Sequence, residues 1–186
     1  DLSYTVNYLE KGSNNVLAPA KNVNGQTYLS EVTENAIVIN GYDMVAPTSA
    51  TITIQVEGNV INFYYTKRTD LSYTVNYLEQ STNNVLADAK VVENQVFGSE
   101  VTENAIEISG YNKVAPTEVT ITIQVSGNVI NFYYTKRTDL SYTVNYLEQG
   151  SNKVLADAKV VENQVFGSTV NETAIDITGY NKVEPT

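Results

Sequence analysis

The sequence predicts a mostly β (α+β) fold, built from small tandem modules set end to end as an elongated rod. Three observations carry this reading. First, the decapeptide Asp1–Glu10 returns letter for letter at 70–79 and at 139–148, a period of 69 residues. Residues 1–69 match 70–138 at 52 of 69 positions, and 70–117 match 139–186 at 39 of 48, so the copies are one module repeated. Second, apolar and polar residues alternate strictly over several runs, which is the strand period. Third, only Lys67-Arg68-Thr69-Asp70 separates the last alternating run of one copy from the first of the next, too little chain for a slack linker. The modules are therefore read as 1–69, 70–138 and a partial third, 139–186. The alternative phase breaks the chain after Thr48 and Thr117; the first is preferred because it puts the polar joint between compact units. A module of this size buries only about 60% of its unfolded surface, so neighbour contacts are expected to add stability.

The elements follow in order. Leu2, Tyr4, Val6 and Tyr8 share one face of an opening strand, with Ser3, Thr5 and Asn7 on the other. A polar loop, Glu10 to Asn15, leads to a strand at Val16-Leu17-Ala18. A turn is expected near Asn24-Gly25, then a short extended piece. Ser30–Ala36 is the one candidate helix, with Ser30 as cap and Glu31 and Glu34 near its positive end. Ile37 and Ile39 resume the alternation, Gly41-Tyr42 makes a bend, and Pro47 marks a strand edge or start. Thr51–Val56 and Val60–Tyr65 alternate on either side of Gly58-Asn59, which predicts a hairpin pairing Val56 with Ile61, Ile54 with Phe63 and Ile52 with Tyr65.

Composition narrows function. Net charge is −10, from 21 acids and 11 bases, and the copies carry −2, −4 and −4. An evenly acidic chain disfavours nucleic acid and anionic membranes, which need Lys and Arg to neutralise phosphate. No apolar stretch approaches the roughly 18 residues of a membrane-spanning helix. Cys, His and Trp are absent, which removes thiolate nucleophiles and imidazole bases. The carboxylates Glu31 and Glu34 are a candidate pair, but they recur in a polar segment of each copy, and a duplicated active site in every bead is rare. The chain is read as not an enzyme and as needing no cofactor. No calcium-loop spacing occurs, and Glu10 with Ser13 and Asn14 is read as a polar turn rather than a metal site. Asn171-Glu172-Thr173 matches a glycosylation acceptor by chance. Lys21, Lys90 and Lys159 are the candidates for an internal Lys–Asn cross-link, against solvated lysine as the commoner state. Tyrosine is abundant, with 14 copies against four Phe. Tyr4, Tyr8 and Tyr65 fall on apolar faces, whereas Tyr64 and Tyr133 fall on the polar face and are the candidate surface contacts.

Tyr4-Thr5-Val6-Asn7-Tyr8, Val16-Leu17-Ala18-Pro19, Gly41-Tyr42 and Val60-Ile61-Asn62-Phe63-Tyr64-Tyr65 together resemble the mucin-binding-protein (MucBP) repeats of Gram-positive surface proteins. The resemblance spans each whole module. It departs from the pattern where Pro19 becomes Asp88 and Asp157. It implies β-grasp, ubiquitin-like modules in an extracellular adhesin attached to the cell wall through regions outside this segment, with host mucin or glycans as partners. The leading expectation is a non-catalytic stalk that spaces a distal binding domain from the wall. The alternatives are a mucin- or glycan-binding module acting by avidity and a filament subunit that self-assembles by strand exchange.

Overall fold

The structure is a computed structural model describing residues 1–184; Pro185 and Thr186, which end the third sequence copy, lie outside the described residues. By packing, the chain divides into two units, residues 1–75 with 89–103 and 119–130, and residues 76–88 with 104–118 and 131 onward.

The first copy lies in the first unit. Its strands are β1 (Leu2–Glu10), β2 (Val16–Gln26), β3 (Glu31–Asn35), β4 (Tyr42–Met44), β5 (Ser49–Thr53) and β6 (Val60–Lys67). One four-stranded sheet has the order β2-β1-β6-β4, and β3 and β5 form a two-stranded sheet. β1 runs parallel to β6, antiparallel to β2, and β6 antiparallel to β4. The expected alternation sets the core. Tyr4, Val6 and Tyr8 from β1 are buried with Ile61, Phe63 and Tyr65 from β6 and with Ile54. The small sheet adds Val32, Ala50 and Ile52 to this cluster. Tyr8 and Phe63, side by side in the parallel register, stack at 6.4 Å and 17°. The Tyr65 hydroxyl donates to the Ile37 carbonyl at 2.8 Å, so a buried ring keeps its polar end satisfied.

Four local expectations differ from the structure. Ser30–Ala36 is no helix, and the described residues contain none, so the α+β label reduces to all-β. Glu31–Asn35 is β3, paired antiparallel with β5 from Glu31↔Thr53 to Asn35↔Ser49. A helix of seven residues is too short to hold itself. Val32 and Glu34 face inward in strand alternation, and Thr33 meets Thr51 hydroxyl to hydroxyl at 2.7 Å. The expected hairpin is also absent. β5 pairs with β3, while β6 crosses to the large sheet, so Ile54, Ile61, Phe63 and Tyr65 do share one core but Val56 is left exposed. Gly58-Asn59 is a crossing loop rather than a hairpin turn. The turn at Asn24-Gly25 is a bulge inside β2: Leu2 faces Gln26 and Tyr4 faces Val23, so the extra residue kinks the strand. Gly25 takes φ +72 there, and Asn94 and Asn163 take +57 and +58 at the same place in the later copies. The alternation expected through Ile37 and Ile39 forms no strand, and Pro47 precedes β5 on a cis bond from Ala46.

The second copy repeats the pattern as β7 (Leu71–Glu79), β8 (Val85–Gln95), β9 (Glu100–Asn104), β10 (Tyr111–Lys113), β11 (Glu118–Thr122) and β12 (Val129–Lys136), with sheets ordered β10-β12-β7-β8 and β11-β9. In the first unit Leu71, Tyr73, Val75, Ile123 and Ile130 are buried; in the second, Tyr77, Ala105, Phe132 and Tyr134 are. The third copy contributes β13 (Leu140–Leu147) and β14 (Val154–Gln164), an antiparallel pair with the same bulges as β1 and β2.

Candidate functional site: the polar face of the four-stranded sheet

Strand alternation sends Tyr4, Val6 and Tyr8 inward and leaves Thr5, Asn7 and Leu9 on the outer face. The parallel register then sets Asn7 beside Asn62 and Leu9 beside Tyr64. The Asn7 amide nitrogen donates to the Asn62 side-chain oxygen at 2.8 Å, and the Thr5 hydroxyl donates to Asn22 at 2.8 Å. Tyr64 is 37% exposed beyond this amide pair. The second unit repeats it, with Asn76 donating to Asn131 at 2.9 Å and Tyr133 half-buried rather than exposed. The face thus carries amides, a hydroxyl and one side of a phenol ring, and its central groups are uncharged. Such a face hydrogen-bonds and stacks; it holds no nucleophile with a base beside it.

A second cluster recurs at the edge of the core. The Tyr4 hydroxyl donates to Glu34 at 2.6 Å, and Lys21 reaches the same carboxylate oxygen at 2.6 Å. Tyr73, Glu103 and Lys90 repeat this at 2.6 and 2.5 Å, and Tyr142, Glu172 and Lys159 at 2.6 and 2.9 Å. The Lys21 ammonium and the Tyr4 hydroxyl hold the Glu34 carboxyl below its ordinary range. Burial pushes Glu103 up, but Lys90 and Tyr73 together outweigh it and the net shift is downward. Glu34 holds Lys21 above the ordinary ammonium range and raises Tyr4, so the phenol stays protonated and donating. Lys21 keeps a side chain 49% exposed and takes a carboxylate partner, so the cross-link candidates sit in ion pairs. Glu31 and Glu34, three residues apart on β3 and so on opposite faces, do not form a pair of acid and base: Glu31 is exposed and Glu34 faces Tyr4.

At the polar turn, Glu10 accepts from Ser13 at 2.6 Å and from Asn15 at 3.0 Å, and these bonds lower its pKa. Asn15, not Asn14, is the partner; Asn14 takes φ +57 instead. Among the described residues no group of three or more Asp or Glu side chains is arranged to hold a metal. No helix of the described residues is long and apolar enough to cross a membrane. The Asn7–Asn62 pair and the Tyr–Glu–Lys clusters are not among the groupings that the sequence singles out. The signal for the second was the recurrence of Lys21, Lys90 and Lys159 thirteen residues before Glu34, Glu103 and Glu172.

The described residues thus form tandem all-β repeats, the two complete ones each carrying a polar, uncharged amide pair on the outer sheet face. The chain belongs to the MucBP domain family, whose model matches residues 4–66, 73–135 and 142–186. It is 31% identical over 193 residues to Internalin J of Listeria monocytogenes serotype 4b (strain F2365), across 98% of this chain and 20% of that protein. The chain thus spans about a fifth of the length of that relative. Among solved structures, the type 2 repeat of the mucus binding protein MUB from Lactobacillus reuteri overlaps 73% of this chain and 100% of its own, at 11% identity and a TM-score of 0.27. A crystal structure of Mub-RV overlaps 73% and 99%, at 11% identity and a TM-score of 0.26.

Proposed function

We propose that this chain is a non-catalytic spacer segment of a bacterial surface adhesin, with repeats 1–69, 70–138 and 139–186 as its beads. The observation that carries this reading is the joint. The Arg68 N–H donates to the Gly41 carbonyl of the first copy at 3.0 Å, and the Arg68 carbonyl accepts from Phe97 N–H of the second at 2.9 Å. A linker bonded to both neighbours has little freedom to bend, which is what a stalk requires and a flexible tether lacks. The pairing of β1 with β6 inside one copy supports the 1–69 phase over breaks at Thr48 and Thr117. The order β2-β1-β6-β4 with a parallel central pair supports a β-grasp type of sheet, in which β3, paired with β5, stands where the sequence suggested a helix. Membership of a family of mucin-binding repeat domains, a non-enzymatic kind, supports the absence of catalysis and a place on the cell surface, anchored to the wall through other regions. Small-angle scattering on the full chain and on versions extended by whole repeats tests the spacer. Maximum dimension rises by a constant increment per repeat. A radius growing as roughly the 0.38 power of length, as for one globule, removes the reading.

A second reading is favoured by the family and by the outer sheet face. Each of the two complete repeats contacts mucin glycans weakly, through Tyr64 or Tyr133 and the amide pair beside it, and the array gains strength by valency.

A further inference from the structure

Gly41 and Gly110 both lie at φ +82, which accounts for glycine at a bend but not for what covers it. A Cβ built on Gly41 would lie 2.5 Å from ring carbons of Phe97 in the next copy, and one on Gly110 would lie 2.5 Å from the ring of Phe166. Gly58, Gly98 and Gly127, with φ of similar sign, have nothing within 4 Å, so the covering belongs to this bend and not to left-handed glycines in general. Each ring also meets the tyrosine that follows the glycine edge to face, Tyr42 on Phe97 at 5.7 Å and 68°, Tyr111 on Phe166 at 5.6 Å and 65°. The backbone closes the same joint twice: Arg68 bridges Gly41 and Phe97, and Arg137 bridges Gly110 and Phe166 by bonds of 2.9 Å each. Forked pairing of Arg68 with Asp70 at 2.9 Å holds the bridging residue. Tyr28 stands in the first copy where Phe97 stands in the second, and it is 54% exposed; Gly179 has nothing within 4 Å.

We propose that the Gly-Tyr bend is a docking socket for the aromatic loop of the following repeat, and that adjacent repeats recognise each other and unfold together through it. The partner chemistry is specific. A flat ring needs a bare Cα to approach this closely, and the tyrosine edge supplies the complementary side of its quadrupole. An aliphatic side chain at the ring position fills less of the socket, and any Cβ on the glycine closes it. This holds whether the array spaces a distal domain or binds a ligand itself.

The test uses the full chain. F97A and F166A remove the rings, and F97L keeps apolar bulk without a ring. G41N adds a Cβ while keeping a residue that the chain already places at positive φ, as at Asn14 and Asn83. Circular dichroism checks that strand content is kept. Trypsin cleavage after Arg68 reads opening of the joint, and F97A, F97L and G41N should each speed it by about tenfold or more. In urea the wild type unfolds with a steep, shared transition, and the variants with a shallower one, because repeats come apart separately. A double-mutant cycle separates clash from backbone strain: the loss caused by G41N shrinks once F97A has removed the ring. The socket is overturned if F97A leaves cleavage and urea slope unchanged, or if G41N is equally harmful with and without the ring.

Discussion

Glu34 shows how one carboxylate ties together residues far apart in the chain. It accepts from Tyr4 of β1 and pairs with Lys21 of β2, while standing on β3 with a side chain only 12% exposed. Its pKa is lowered by Lys21 and then by Tyr4; that of Glu172 is lowered by Tyr142 and then by Lys159. The sign of the linkage follows. A carboxyl held below its unfolded value, about 4.3 for Glu, contributes stability above that pH and loses it as pH falls through the folded value. Lys21, held above its unfolded value, contributes below it and loses its share as pH rises through the folded value. Stability should therefore be flat across neutrality and fall on the acid side below the ordinary carboxylate range. E34Q with E103Q keeps an acceptor for each tyrosine but removes both ion pairs, so thermal midpoint against pH should lose part of its acid slope. An acid limb parallel to that of the wild type would show that these clusters do not set it.

At the scale of the element, the loop between β5 and β6 explains what could and could not be read in advance. The Asn59 side chain accepts from Gln55 N–H at 2.8 Å and donates to the Gln55 carbonyl at 2.8 Å and the Ser3 carbonyl at 3.1 Å, while its own carbonyl accepts from Thr5 N–H at 3.0 Å. This tacks the crossing loop to the start of β1 and lets β6 enter beside it in parallel. Asn128 repeats the arrangement and is buried. Replacing either by Ala leaves several backbone groups without their partners and should cost about 1–3 kcal/mol, more at Asn128. Urea midpoints measure it, and a midpoint unmoved in N128A contradicts the tack. The inward sets Tyr4-Val6-Tyr8 and Ile61-Phe63-Tyr65 were legible because burial follows the strand period whichever strand lies alongside. The partner was not legible. Two alternating runs around Gly58-Asn59 have the same faces as a hairpin or as a crossing, and the choice is made by β1, more than fifty residues upstream of β6 in sequence. For the same reason Tyr64 could be placed on the polar face, but the Asn7–Asn62 pair beside it could not. The short helix failed because capping signals at Ser30 describe only local preference, and pairing with β5 outweighs it.

At the scale of the whole molecule, charge sets a condition on the proposed glycan contact. The chain carries −10, shared among all three copies, while the middle of the outer sheet face is made of Thr5, Asn7, Asn22, Asn62 and Tyr64 and is uncharged. Two forces then act on an acidic glycan. Stacking and hydrogen bonds at the face attract it over a few ångströms, and the field of the whole chain repels it over a Debye length. That length is about 30 Å at 0.01 M salt and about 3 Å at 1 M. Salt therefore removes the repulsion and leaves the short-range contact, so binding of sialylated or sulfated mucin should strengthen with salt and then level off. A contact made by clustered Lys and Arg behaves in the opposite way, because salt screens its attraction. Binding of mucin to immobilised chain, followed from low to high sodium chloride for the wild type and for Y64A with Y133A, separates the cases. The expected result is a rising curve that the double variant lowers at every salt concentration. A curve that falls with salt assigns the contact to cations elsewhere on the surface, and equal curves for the two proteins remove the tyrosines from it.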